Sequence, residues 1–294
     1  MKKMLLSFFV FIGSLFSGVF LWDNVPVARQ AMQFASDQGM IMFSKSCRLV
    51  RRLSGYEKLE VFERHISPEQ ALSLFPESRE GNAFVELHLV PHVLMRVRFS
   101  KEDTGKKSLV SQEGEILWSL TNGEMVLNTG TWSCSKGFQE CLLLHADQQD
   151  ISVMQALATL GGSATRDALL HVLSMKNVRA EKAIKECHKK RLVFASGSLI
   201  STHFQHLQPV KGCVTTLHAL PVFLRKPSGA VCSPVHYSED KIHRLVRMVF
   251  GKNFLILRSS TVYVPVYKVC LVSSDNSVRI EYINGVTGKP FVAM

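Results

Sequence analysis

The stretch ISVMQALATLGGSATRDALLHVL at residues 151–173, followed by NVRAEKAIKECHKKRLVFASGSLI at residues 177–200, decides the fold. Ile151, Val153, Met154, Leu157 and Leu160 recur at helical spacing, and Gly161-Gly162 supplies the left-handed backbone that ends such a helix. Asp150 stands where its N-cap belongs. Ser163 or Thr165 caps a second helix carrying Ala168, Leu169, Val172 and Leu173. A third opens at Asn177 or its neighbour, carries Val178, Ala180, Ala183, Ile184 and Cys187, and ends near Lys190. Leu192 to Ala195 then reads as a strand that turns through Ser196-Gly197 into a second one, Ser198 to Phe204. Each helix has one apolar face, so the three bury their stripes only by packing together with the ribbon.

This order, three helices and then a two-stranded ribbon, resembles the winged helix. In DNA-binding members of that class the third helix enters the major groove with the wing beside it. The resemblance therefore implies phosphate contacts from Arg179, Lys182, Lys185, Lys189 and Lys190, opposed by Glu181 and Glu186. Base-reading side chains are scarce, with only Asn177 near the helix start, and the wing tip Ser196-Gly197-Ser198 carries no cation. Many winged helices instead bind other proteins, and the fold does not choose between the two.

Charge widens the view. The chain of 294 residues holds 35 Lys and Arg against 24 Asp and Glu, a net +11. Residues 1–145 carry 16 basic and 15 acidic side chains, residues 146–206 carry 8 and 5, and residues 207–294 carry 11 and 4. The excess thus lies in the C-terminal half, which suits a polyanion or an anionic membrane surface. A 46% hydrophobic content excludes wholesale disorder, and collagen, mucin and acidic-tail classes are excluded as well. The seven cysteines, 47, 134, 141, 187, 213, 232 and 270, are too few and too irregular for a disulfide scaffold or a zinc knuckle. In an oxidising compartment Cys134–Cys141 or Cys213–Cys232 can pair, whereas Cys187 reads as a small core residue.

At the N-terminus Lys2 and Lys3 precede the uncharged 19-residue run from Met4 to Trp22. As a helix it reaches about 28 Å, close to the ~30 Å hydrocarbon core of a bilayer. A cleaved signal peptide needs small residues at fixed positions before its cut, and neither Ser14–Gly18 nor Ala28 provides them cleanly. The expectation is an uncleaved single-pass anchor with the N-terminus cytoplasmic; a secreted or periplasmic body after cleavage is the alternative. Residues 1–22 then form the transmembrane segment, 23–146 an α+β module, 147–206 the winged-helix-like module and 207–294 a basic α+β module, so the fold class is α+β.

Within residues 23–146, Val27 to Phe43 reads as a juxtamembrane helix and Lys45 to Arg52 as a basic stretch. Ser67-Pro68-Glu69-Gln70 is a capping box with proline at the first helical position. Ala83 to Phe99 alternates as extended structure, interrupted at Pro91, where a bulge or two separate strands are expected. His88 and His92, four apart, are read as structural or surface residues rather than as metal ligands, because the backbone there is extended and no HExxH glutamate is present. Glu115 to Thr129 is a hairpin around Asn122-Gly123, expected as a type I′ turn. Ile116, Trp118 and Leu120 line one face of it, and Trp132 and Phe138 complete the same core.

Across residues 207–237, four prolines mark a long connection with short extended pieces such as Thr215 to Leu224. Ser238 caps a helix through Phe250, ended by Gly251. Ile242, Leu245, Val246 and Val249 form its buried stripe, with Lys241, Arg244 and Arg247 outside. Arg244 and Arg247 join the candidate anion-binding residues. Strands follow at Phe254–Leu257, Thr261–Val272 and Val278–Ile283. VYVPVYKVCL and VRIEYINGVTGKPF are similar to the closing strands of PepSY-type or ATPase-appended β domains, in which the terminal Thr-Gly is a turn. Gly285, Gly288 and Lys289 do not make a P-loop, because the spacing is wrong and Pro290 replaces Ser or Thr.

No nucleophile–base arrangement, metal set or cofactor motif emerges, and no small-molecule substrate is indicated. The leading expectation is a membrane-anchored interaction protein whose winged-helix-like module and basic C-terminal region bind a protein partner or an anionic surface. The alternative is a membrane-tethered nucleic-acid-binding regulator. A third is an enzyme drawing on His145, His203, His206 and His236.

Overall fold

A computed structural model describes residues 58–76, 82–102, 109–174, 179–203, 214–251, 254–273, 275 and 277–291. The apolar run at 4–22, the juxtamembrane stretch, the basic stretch at 45–52, Asn177 and His206 lie outside the described residues. The class is α+β, with a nine-stranded mixed sheet, a separate three-stranded sheet and six helices among the described residues.

Two long strands form the spine: β2 (Asn82–Glu102) and β11 (Phe254–Val272) pair antiparallel from Phe99↔Phe254 to Asn82↔Val272. Each has its outer edge divided between two neighbours. Beyond β2 lie β3 (Leu109–Ser119), opposite His92 to Glu102, and β10 (Val231–Cys232), parallel at His88 and Leu89. Beyond β11 lie β12 (Val278–Asn284), opposite Val266 to Val272, and β1 (Lys58–Val61), parallel at Tyr263. β9 (Val222–Arg225) closes the β1 side, while β4 (Met125–Asn128) and β5 (Ser133–Cys134) extend the β3 side.

Pro91 does not break β2, contrary to expectation. The Pro91 carbonyl accepts from Leu120 N–H, so this residue's polar edge faces away from β11. It falls between the last residue paired to β10, Leu89, and the first paired to β3, His92. The missing N–H therefore costs no ladder bond. Likewise Phe254–Leu257 and Thr261–Val272 form one strand, with a bulge between Ile256 and Arg258.

The hairpin at Asn122-Gly123 forms, but not as a two-residue turn. Trp118 pairs Met125, Ser119 N–H donates to Glu124 O, and only Gly123 has positive φ, at 74°. Bonds from outside the hairpin hold this wider loop, with Leu120 N–H donating to Pro91 O and His236 and Tyr237 N–H donating to Leu120 O, and within it Trp118 Nε1–H donates to Gly123 O at 2.7 Å.

The helices are α1 (Pro68–Ser73), α2 (Phe138–Leu143), α3 (Gln148–Thr159), α4 (Arg166–Ser174), α5 (Ala180–Lys189) and α6 (Glu239–Phe250). The capping box before α1 is present: Ser67 Oγ accepts from Gln70 N–H and Gln70 Oε1 from Ser67 N–H. None of these helices is long and apolar enough to cross a membrane.

One buried cluster joins Val93, Met95 and Val97 of β2, Ile116 and Trp118 of β3, and the apolar stripes of α3, α4, α5 and α6. Phe138 belongs to it, with its ring 5.1 Å from that of Trp118. Trp132 does not; it packs on the opposite face with Phe62, Phe291 and His92. The reason is pleat alternation: Leu117 and Val126 point the other way from Trp118 and roof that second face. Residues 58–294 cluster as one compact unit. At the β11–β12 end, Gly285 fits because a Cβ there would lie 2.9 Å from Pro265 O.

Candidate functional site

The helical unit is built from its caps inward. Asp147, not Asp150, caps α3: its carboxylate accepts from Gln149 and Asp150 N–H, and Asp150 Oδ2 returns the bond to Asp147 N–H at 2.8 Å. Asp150 is therefore the third residue of a capping box, and it is fully buried. Gly161 and Gly162 end α3 with φ of 83° and 90°. Thr165 Oγ1 accepts from Ala168 N–H at the start of α4. Residues Ser163–Thr165 also form a strand, β6, that sequence patterning did not reveal because three residues are too few to alternate. After α5 come β7 (Val193–Ser196) and β8 (Leu199–Thr202), joined at Gly197 with φ of 60°. The antiparallel sheet runs β6-β8-β7.

α5 turns Ala183 and Cys187 into the core and Lys182, Lys185 and Lys189 outward. Arg179 precedes it, exposed, with no side-chain cap bond. Two of the acidic residues on this face are already engaged: Glu181 with Arg166 at 2.6 Å, and Glu186 with Lys189 at 2.8 Å. The Lys189 hydrogen bond holds the Glu186 carboxyl below its ordinary range. Lys182 and Lys185 make no ion pair with a described carboxylate.

Lys190 departs from the phosphate-binding role expected of it. Its ammonium reaches back to Asp150 at 2.5 Å and Asp147 at 3.1 Å. Partial burial opposes its charge, but the hydrogen bonds to both aspartates outweigh that and raise its pKa. Cys187 Sγ–H donates to Asp150 Oδ1 at 3.2 Å. Burial, then the Asp150 charge, push that thiol far up, so it is a packing residue, as its helical position suggested. Lys190 thus bolts the end of α5 to the start of α3. The Asp147-x-x-Asp150 spacing carried the signal for the cap, but nothing local announced the partner of Lys190.

The ribbon adds no cation. Its outer face presents Phe194 (41% exposed) and Leu199 (44%), with the His203 ring edge-on to Phe194 at 5.7 Å. On α6, Arg244 and Arg247 are exposed, while Ile242, Leu245 and Val246 are buried.

The histidines considered for catalysis do not converge. His236 Nδ1–H donates to Thr121 O, His203 lies at the wing, and His145 follows α2. His88 bonds Glu86, and His92 donates to Val90 O from a site where burial lowers its pKa to about 4. Among the described residues no group of three or more His, Cys, Asp or Glu is placed to hold a metal. Cys134 and Cys141 are free thiols, each pushed up to about 12, first by burial and then by Glu124. They are poor nucleophiles. Glu124 is nearly buried and its pKa is raised by that burial, although Ser135 Oγ–H and Gln139 N–H donate to it. It substitutes for the side chain that Gly137 lacks at the start of α2.

No protein-family model, curated protein or solved structure matches the chain.

Proposed function

We propose that the chain is a membrane-anchored interaction protein whose helical unit, residues 147–202, is a winged helix that docks a protein partner. Support for the winged-helix reading is the order α3, β6, α4, α5, β7, β8, with the strands arranged β6-β8-β7. The carrying observation for the partner is the composition of the exposed surface. α5 offers Lys182 and Lys185, exposed and without an ion pair among the described residues, and the wing offers Phe194 and Leu199. Duplex binding by phosphate contacts alone calls for several cations along the groove. A mixed surface of two lysines and two apolar side chains instead matches a protein surface that is acidic and partly apolar. The anchor is the Met4–Trp22 run, with the N-terminus cytoplasmic and the body across the membrane.

Nucleic-acid binding is the second reading, favoured by Arg179, Lys182, Lys185 and Lys189 standing exposed on or beside one helix.

A reporter fused after Met294 tests the orientation, and a cytoplasmic reporter signal overturns the translocated body. A photo-crosslinking residue at Leu199, in the full chain in its own cells, tests the partner. A discrete protein adduct is expected, lost when Lys182→Glu and Lys185→Glu are combined. The same double variant tests the second reading on a random duplex. Binding that falls steeply with salt and disappears in the variant, with no adduct from Leu199, overturns the protein-partner reading.

A further inference from the structure

A cavity of about 470 Å³ opens where three separate parts of the chain meet: the hairpin loop at Asn122 and Glu124, the stretch from Trp132 into α2, and Pro290 with Phe291. One wall is aromatic and already fixed. The half-buried Trp132 ring stands 6.2 Å from that of Phe291, 6.2 Å from Phe62 and 6.0 Å from His92, so three neighbours set its orientation. The other wall carries two carboxylates, Glu124 and Glu140.

This acidic wall lacks a counter-charge. Glu124 lines the cavity and is 7% exposed, so it is nearly buried without being sealed off. Ser135 Oγ–H donates to its Oε2 at 2.6 Å and Gln139 N–H to its Oε1 at 2.9 Å, but both donors are neutral. Among the described residues neither Glu124 nor Glu140 has an ion pair. The charged neighbour felt at Glu124 is Glu140, which opposes its ionisation, and the nearby Cys134, Cys141 and Tyr237 supply no cation. Glu140 Oε2 is shut off from solvent without a partner, so it acts on the cavity through its field rather than by contact. Lys136 also lines the cavity, but it is exposed and pairs with neither acid. Carboxylates this deep in a protein are ordinarily matched by a cation.

We propose that this cavity binds a small organic amine with an apolar tail. The ammonium supplies the missing counter-charge and donates to the Glu124 lone pairs that Ser135 and Gln139 leave free. Trp132, Phe291 and Pro290 enclose the tail, and the Trp132 ring adds cation–π attraction. The volume lies within the ordinary range for ligand sites. A bare metal ion fits less well, because half of the lining is apolar and no three ligating side chains converge among the described residues. The site lies outside residues 147–202 and does not rest on the winged-helix reading.

The test uses the purified full chain in detergent, with phenethylamine as the probe in calorimetry and tryptophan fluorescence. Saturable binding with a change in emission is expected, and Trp132→Phe should remove the emission change. Neutral 2-phenylethanol should bind about tenfold more weakly or worse, and Glu124→Gln, which keeps an acceptor for Ser135 and Gln139, should weaken phenethylamine by a similar factor. The unsubstituted protein gives a second measure that needs no variant. Its affinity should fall from about pH 8 to about pH 5, because protonating Glu124 removes the charge that holds the ammonium. Equal binding of the alcohol, an affinity that ignores both Glu124→Gln and pH, or no binding at all overturns the site. Weakening by Lys136→Gln overturns it in favour of an anion, and calcium binding that needs Glu124, without amine binding, overturns it in favour of a metal.

Discussion

The helical unit and the long β2–β11 ladder are held together by different means. In the helical unit a buried ion pair does much of the orienting: Lys190 grips Asp150, whose exposure is 0%, and Asp147 beside it. In the ladder the work is spread over many backbone pairs and two apolar faces, and the one buried ionisable side chain among the described side chains of β2, His92, is carried neutral. A unit whose apolar core is tied by one buried charge pair is sensitive at that pair. A ladder fails gradually, and its weak point is the proton that His92 resists.

Asp150→Ala should produce the largest effect, because it strands Lys190, removes the return bond to Asp147 N–H and leaves Cys187 without its acceptor. Removing one partner of a buried pair costs about 3–5 kcal/mol. Because Lys190 keeps Asp147 and some solvent, a loss of roughly 3 kcal/mol is the expected result, read from chemical denaturation.

Acid should find the ladder next. His92 has its pKa lowered from 6.5 to about 4 by burial, so the unfolded chain binds more protons between those values. Stability contributed by neutral His92 is full above pH 6.5 and is lost as pH falls towards 4, by up to about 3 kcal/mol in total. Glu124 acts in the opposite sense, because a raised folded pKa favours the fold on acidification. Denaturation from pH 7 to 4 should therefore show a net acid loss that His92→Phe flattens. An unchanged slope in that variant would show that the acid sensitivity lies elsewhere.

Smaller effects sharpen the contrast. Ser67→Ala removes the cap of α1, a helix that covers Tyr267, Val269 and Leu271 at one end of the ladder. The expected cost is about 1 kcal/mol, without change at the helical unit, readable by hydrogen exchange. Lys182→Glu with Lys185→Glu should alter stability by less than about 0.5 kcal/mol, because both side chains are exposed. A large loss there would mean that α5 is held by its outer face.

Much of the helical unit was legible residue by residue. The Gly161-Gly162 stop, the Thr165 cap, the inward Ala183 and Cys187, and the turn at Gly197 all depend on neighbours within a few positions. The candidate site was legible only in part. Lys182 and Lys185 lie where helical periodicity put them, whereas Lys190, one turn on, is drawn inward by an aspartate forty positions earlier.

Sequence by itself determined the elements whose forces are local: caps, glycine stops, amphipathic faces and the uneven distribution of charge. Tertiary structure decided how Pro91 could sit inside an unbroken strand, which face Trp132 joined, and which lysine became a bolt. Those outcomes hinge on partners distant along the chain. Whether a polar edge meets a gap, or an ammonium meets a buried carboxylate, depends on what the folded backbone brings alongside it.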